Sequence, residues 1–443
     1  MQTPVADFVK EYAEKKGVRF HMPGHKGKEF LGCEPFDITE IAGADALYEA
    51  DGIIAESERN ATRLFGTGGT FFSTEGSSQC IRAMLFLAVR SWRGEGRPYV
   101  VAARNAHKAF LYAAALLDFD IVWLFPEETH SLCSCRISPE QLEEVLKGQK
   151  QPPAAVYVTS PDYLGGRLAV GELAEVCHRN GTILAVDNAH GAYLHFLEQP
   201  QHPMDLGADL CCDSAHKTLP VLTGGAYLHI GKLAPETFGA DAKQALVLFG
   251  STSPSYLTLA SLDLCNAYLA DGYAGKLAET VQQLERVCRT LRENGWETEE
   301  TDPLKLTLLL PEKENGSSLA RRLGSAGVEC EYADAQYIVF MATPENDSAD
   351  YGRLVQALGV NHSPYLQREK MRPVQCAGRC TVREAFFAPH EKIVVERAVG
   401  RICGAPLVSC PPAIPVVVPG EVIDRNAVAI LKYYNNDTVE VLK

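Results

Sequence analysis

Short apolar runs that each lead into polar residues, with helix-patterned stretches between them, constrain this chain more than any other feature. Residues 99–102 (Tyr-Val-Val-Ala) lead to Arg104, residues 154–159 to Ser160, and residues 182–186 (Thr-Ile-Leu-Ala-Val) to Asp187. A further run covers 121–125, and helix patterns cover 138–147 and 170–179. Brief runs without polar alternation suit strands buried on both faces. Their alternation with helices predicts a mostly parallel sheet covered on both sides. In such sheets ligands sit outside the carboxyl ends of the strands, so the polar residues closing each run are where chemistry is to be sought.

One of these closures is Asp213-Ser214-Ala215-His216-Lys217-Thr218-Leu219-Pro220, set between the apolar runs 208–212 and 225–230. A lysine at a strand end can lose solvation, have its ammonium pKa lowered, and act as a nucleophilic amine toward a carbonyl. The neighbouring Ser214, His216 and Thr218 are of the types that hold a phosphate. Asp187 closes a strand upstream, with room for a loop and one further strand before Lys217, and a carboxylate there can keep a pyridine nitrogen protonated. Carbonyl, phosphate and pyridine on one small molecule describe pyridoxal 5'-phosphate, bound as a Schiff base to Lys217.

Ser214-Ala215-His216-Lys217-Thr218-Leu219-Pro220, together with Asp187-Asn188-Ala189-His190-Gly191-Ala192, resembles the short-form Orn/Lys/Arg decarboxylase family of fold-type-I pyridoxal phosphate enzymes. So do Phe20-His21-Met22-Pro23-Gly24-His25-Lys26-Gly27 near the start and Arg383-Glu384-Ala385-Phe386-Phe387-Ala388-Pro389 toward the end. Pro411-Pro412-Ala413-Ile414-Pro415 through Pro419-Gly420-Glu421 completes the set, so the resemblance runs from about residue 20 to about residue 425. It implies an α/β, aspartate-aminotransferase-like fold: a large domain on a mostly parallel sheet and a smaller α+β C-terminal domain. It also implies α-decarboxylation of lysine, ornithine or arginine to a di- or polyamine and carbon dioxide.

The resemblance assigns further roles. Gly76-Ser77-Ser78 looks like the family's phosphate loop, with the serines where N-cap residues stand and the following helix offering free N–H groups. His107, in Arg104-Asn105-Ala106-His107-Lys108, resembles the histidine that stacks on the cofactor ring, where it can assist proton transfer. Ala189 and His190 follow Asp187, and His190 is read as orienting that aspartate. Thr252, in Ser251-Thr252-Ser253-Pro254, resembles the segment that lends hydroxyls to the neighbouring subunit's phosphate, which implies a homodimer with shared sites. Glu421 is the candidate for the substrate's cationic end. Asn188, where an acidic residue is common, and Gly224-Gly225, where polar residues are frequent, depart from the family pattern.

The domain boundaries are expected at 1–45 for an N-terminal arm, 46–295 for the large domain with its connecting helices, and 296–443 for the small domain. Residues 1–19 show a helical pattern (Val5, Phe8, Val9, Tyr12) without a core of their own, so the arm is expected to pack on a partner subunit. A helix is predicted over 53–65 and a long helical system over 257–294. The small domain should hold β-segments at 306–310, 328–332 and 337–342 and helices at 317–323 and 349–357. The apolar proline tail over 411–419 is expected to pack across the large domain and present Glu421.

Gly66-Thr67-Gly68-Gly69 is not a nucleotide loop, because the P-loop lysine and the strand–Gly-x-Gly-x-x-Gly–helix order are absent. A net charge of −14 argues against nucleic acid, which requires a basic face, and suits a cationic substrate. Fourteen cysteines are scattered through apolar segments; Cys133-x-Cys135 and Cys376-x3-Cys380 lack a matching second pair, so no metal is expected. With no signal core and no membrane-length apolar run, a cytoplasmic enzyme with reduced thiols is expected. The rival readings are transamination on the same fold and a non-catalytic cofactor-binding protein.

Overall fold

The computed structural model describes residues 1–127, 129–365, 371–406 and 412–443. The chain forms two compact units, Met1–Ser91 with Val170–Lys276 and Trp92–Ala169 with Leu277–Lys443. Chain order opens with α1 (Pro4–Glu14), α2 (Ile53–Phe65), β1 (Gly69–Ser73) and α3 (Ser77–Ser91) in the first unit. The second unit then contributes β2 (Tyr99–Ala103), α4 (Lys108–Leu117), β3 (Asp120–Leu124), α5 (Pro139–Lys147) and β4 (Ala155–Thr159). The chain returns with α6 (Val170–Arg179), β5 (Leu184–Asp187), β6 (Leu210–Asp213), α7 (Ala215–Thr218), β7 (Ala226–Ile230), α8 (Glu236–Val247) and α9 (Tyr256–Ala270). After α10 (Tyr273–Glu293) come β8 (Glu297–Thr298), β9 (Lys305–Leu309), α11 (Gly316–Ser325), β10 (Tyr332–Ala333), β11 (Tyr337–Met341) and α12 (Ser348–Leu358). The last elements are α13 (Val382–Phe387), β12 (His390–Val394), α14 (Arg425–Tyr433) and β13 (Thr438–Leu442).

In the first unit the strands lie in the order β1-β7-β6-β5. β5 runs parallel to β6, with Asp187 opposite Cys212, and β7 runs antiparallel to both its neighbours. Every residue of β5, β6 and β7 is buried, which is why these segments read as unbroken apolar runs. The apolar face of α3 (Ile81, Met84, Leu85, Ala88) packs on β5, β6 and β7. In the second unit β4, β2 and β3 are parallel neighbours, and β10-β11-β9-β8 form a separate antiparallel sheet. Leu306 and Leu308 of β9, Ile338 and Phe340 of β11, and Leu319, Leu323 and Leu354 of the covering helices make that sheet's core.

Three expectations need correction. The arm's helix has a seat within its own chain: Val5, Ala6 and Val9 of α1 are buried against α9 and α2. Thr3 supplies no side-chain cap, and Asp263 on α9 does so instead, accepting from Val5 N at 2.9 Å and Ala6 N at 3.0 Å. Beyond α1, Val18, Phe20, Phe30 and Leu31 are all at least 80% exposed. Ser77 is the first residue of α3 rather than its cap, because Gly76 takes φ +73° and turns the chain into the helix. Of residues 328–332 only Tyr332 enters a strand, since Gly327 at φ +74° ends the preceding turn and Val328 and Cys330 pack as loop residues on the small-domain core.

Candidate active site

Asp187 closes β5 and Asp213 closes the adjacent β6, so the two carboxylates leave the sheet at neighbouring strand ends. Asp187 is 3% exposed, and its Oδ1 accepts from Ala189 N at 3.2 Å and from Cys212 Sγ at 3.6 Å. Four residues past the end of β6, on the one-turn α7, stands Lys217, whose Nζ lies 2.8 Å from His190 Nε2. His190 thus engages the lysine. An imidazole at that distance can exchange a proton with the amine, which is what a nucleophilic lysine needs from a neighbour.

Ser214 Oγ donates to Ser77 Oγ at 2.8 Å, joining the lysine turn to the start of α3. Ser78 follows in the same first turn, at the N-terminus of a helix of 15 residues, where the positive end of the helix dipole favours an anion. No atom lies within 4 Å of where a Cβ on Gly76 would stand, so the backbone above these serines is open. His216 Nδ1 donates to Gly225 O at 3.0 Å, and burial pushes the ring's pKa down, keeping it neutral. Gly224 must be glycine: it has φ +96°, a Cβ on it would lie 2.8 Å from Thr74 O, and its own carbonyl accepts from Gly76 N at 2.7 Å. Gly224-Gly225 therefore shape this turn.

Hydroxyls at a helix N-terminus, a buried carboxylate at a strand end and an amine beside an imidazole are the donor set a phosphorylated pyridine aldehyde requires. The residues of the first unit fit pyridoxal phosphate on that ground.

The remaining candidates are placed as follows. Thr252 is exposed in the 251–254 turn of the first unit. In the second unit His107 caps α4, its Nδ1 accepting from Ala109 N at 3.2 Å. The described part of the proline tail is held by Arg104, whose guanidinium donates to Pro415 O and Val416 O, each at 2.9 Å, and by Lys108 N, which donates to Ala413 O at 3.0 Å. Pro411 lies outside the described residues. Glu421 is 7% exposed rather than presented at the surface. It accepts from Val418 N at 2.8 Å and stands 3.7 Å from Arg104, and burial pushes its carboxyl up against that guanidinium's pull.

Sequence reasoning missed the cluster around Asp213. Its carboxylate accepts from Asn188 Nδ2 at 2.7 Å, His202 Nε2 at 3.0 Å and His229 Nε2 at 3.0 Å. His202, Cys211 and Asp213 each bring a ligand-type atom within 4.8 Å of the others. No local pattern announces them, because His202 and His229 are isolated in sequence. Asn188, read as a departure, is the donor that this carboxylate calls for; an acidic residue there would set like charges together.

These elements define the fold-type-I architecture of pyridoxal phosphate enzymes, and structural comparison agrees. The constitutive lysine decarboxylase of E. coli superposes over 100% of this chain and 82% of its own, with a TM-score of 0.80 and 17% identity. A serine palmitoyltransferase from Sphingomonas wittichii covers 81% of this chain and 82% of its own, with a TM-score of 0.58 and 15% identity. The chain belongs to the Orn/Lys/Arg decarboxylase family: residues 3–308 match its major domain and 361–438 its C-terminal domain. The arginine decarboxylase of Bacillus subtilis (strain 168) is 29% identical over 97% of this chain and 93% of its own. Among the described residues no helix is long and apolar enough to cross a membrane.

Proposed function

We propose that the chain is a pyridoxal-phosphate-dependent decarboxylase of a basic amino acid, yielding the corresponding amine and carbon dioxide. The observation that carries this reading is Lys217 Nζ poised 2.8 Å from His190 Nε2, on the turn after the strand next to the one that ends in Asp187. Relatives named as arginine decarboxylases and as lysine decarboxylases support a cationic substrate, as does the net charge of −14.

When bound, the cofactor supplies an electron sink for the pair released as the bond from Cα to the carboxylate breaks. Asp187 would hold a proton on the ring nitrogen. Ser77, Ser78, Ser214 and the first amides of α3 would bind the phosphate, and His216, its Nδ1 proton given to Gly225 O, would hold the turn beside it. His190 Nε2 would take a proton from Lys217 Nζ, freeing the amine lone pair, and Lys217 would later return a proton to the substrate's Cα.

The exposed apolar residues Val18, Phe20, Phe30 and Leu31 and the exposed Thr252 support a homodimer in which each subunit completes the other's phosphate site. Carbon dioxide release from arginine, lysine and ornithine, measured side by side on the cofactor-loaded protein, tests the activity. Conversion of the cofactor to its amine form without gas release would establish transamination instead. Dilution should release cofactor in step with subunit dissociation; a monomer that stays fully loaded would refute the shared site.

A further inference from the structure

Asp213 is 0% exposed, and so are His202 and His229, which flank it. His202 Nδ1 accepts from Met204 N at 3.2 Å, so its proton sits on Nε2 and points at the carboxylate. His229 Nδ1 meets Thr70 Oγ1 at 2.9 Å, and Thr70 in turn meets Thr67 Oγ1 at 2.8 Å. Cys211 Sγ adds a donor at 3.7 Å. Burial alone would push Asp213 up, but His202 and His229 outweigh it and hold the carboxyl below the usual range. A buried charge of this kind costs several kcal/mol to desolvate, and apolar side chains of similar volume commonly fill such space with less penalty. Its position shows what the charge is attached to. Asp213 precedes Ser214 and the Lys217 turn, while its bond to Asn188 reaches the residue directly after Asp187. Asn188 N also donates to Cys212 O at 3.0 Å, so both strand ends are laced together at this point.

We propose that Asp213 is a positioning residue: clamped by His202 and His229, its carboxylate fixes Asn188, and through it holds Asp187 and the Ser214–Lys217 turn in one geometry. This rests on the reading of Asp187 as the partner of the ring nitrogen. The titratable groups around Asp213 are Cys80 on α3, Asp187 on β5, Cys211 and Cys212 on β6, Tyr227 and His229 on β7, and His202 in the loop before β6. His195, paired with Asp205, lies behind His229.

The test uses the cofactor-loaded protein with Asp213→Asn, Asn188→Ala, the double variant and His229→Gln, and with Asp187→Asn as a comparator. The readouts are the dichroism induced in the cofactor's visible band, the pH midpoint of that band, and the thermal midpoint of the fold. Asp213→Asn should weaken the induced dichroism and move the band's midpoint down by about one pH unit, because a negative charge that favours the protonated form is lost. Asn188→Ala should weaken the dichroism similarly, and the double variant should be no worse than the worse single, as expected for two groups acting through one contact. A lowered thermal midpoint with the band and its dichroism unchanged, or strictly additive effects, would leave Asp213 a stability element and overturn the proposal. Should Asp213→Asn not fold, Asn188→Ala and His229→Gln decide the matter by the same readouts. If Asp187→Asn shifts the band and these variants do not, the positioning role alone is wrong; if Asp187→Asn also leaves it unmoved, the reading of Asp187 fails and the positioning role with it.

Discussion

Replacing Asp187 by asparagine removes one charge at almost constant shape, and the structure sets the size of the effect. Asp187 Oδ1 already accepts from Ala189 N and Cys212 Sγ. In the variant the amide oxygen should keep that place, since an NH2 group there would face two donors. The amide nitrogen then occupies the Oδ2 position and offers a donor where an acceptor for a protonated ring nitrogen is needed. A unit charge pair at 4 Å with an effective dielectric of 20 is worth about 4 kcal/mol, and a neutral hydrogen bond recovers about 1 kcal/mol. The net loss of about 3 kcal/mol corresponds to a fall in kcat on the order of a hundredfold. Carbon dioxide release under saturating substrate, with cofactor occupancy checked by absorbance, measures it. Turnover within threefold of the parent protein at full occupancy would refute the role assigned to Asp187.

Lys217→Ala should abolish covalent attachment of the cofactor, and borohydride reduction of the parent protein followed by peptide mapping should find the label on Lys217 and on no other lysine. Glu421→Gln should raise KM for a basic amino acid far more than it lowers kcat if the carboxylate recognises the substrate; an unchanged KM would leave it as the buried partner of Arg104. Asp263→Ala strips an acceptor from two backbone N–H groups of α1 and from Ser57 Oγ at 2.5 Å. At about 1 kcal/mol each it should cost roughly 3 kcal/mol in urea unfolding and expose α1 to proteolysis. Burial raises the Asp263 carboxyl pKa, so its contribution is full at low pH and declines as pH rises through the folded value. Asp263→Asn, which keeps an acceptor without a charge, should flatten that dependence.

What the chain declares locally, the sequence determined. The bounds of α2 and α6 follow from their apolar periodicity. The unbroken runs that became β5 and β6 placed Asp187 at its strand end and Lys217 on the turn after the next strand. These features depend on backbone geometry and one-dimensional burial patterns, which neighbouring residues encode. The tertiary structure decided who meets whom. Lys217 and His190 are 27 residues apart, Ser77 and Ser214 are 137 apart, and Asp263 caps a helix 258 residues upstream. Asp213 could be read only as a polar residue closing a strand until the fold set two isolated histidines and Asn188 around it. Glu421 passed for a presented carboxylate until Arg104 was found beside it. A hydrogen bond or ion pair forms where folding brings its partners within about 3 Å, and no pattern in the intervening sequence records that meeting.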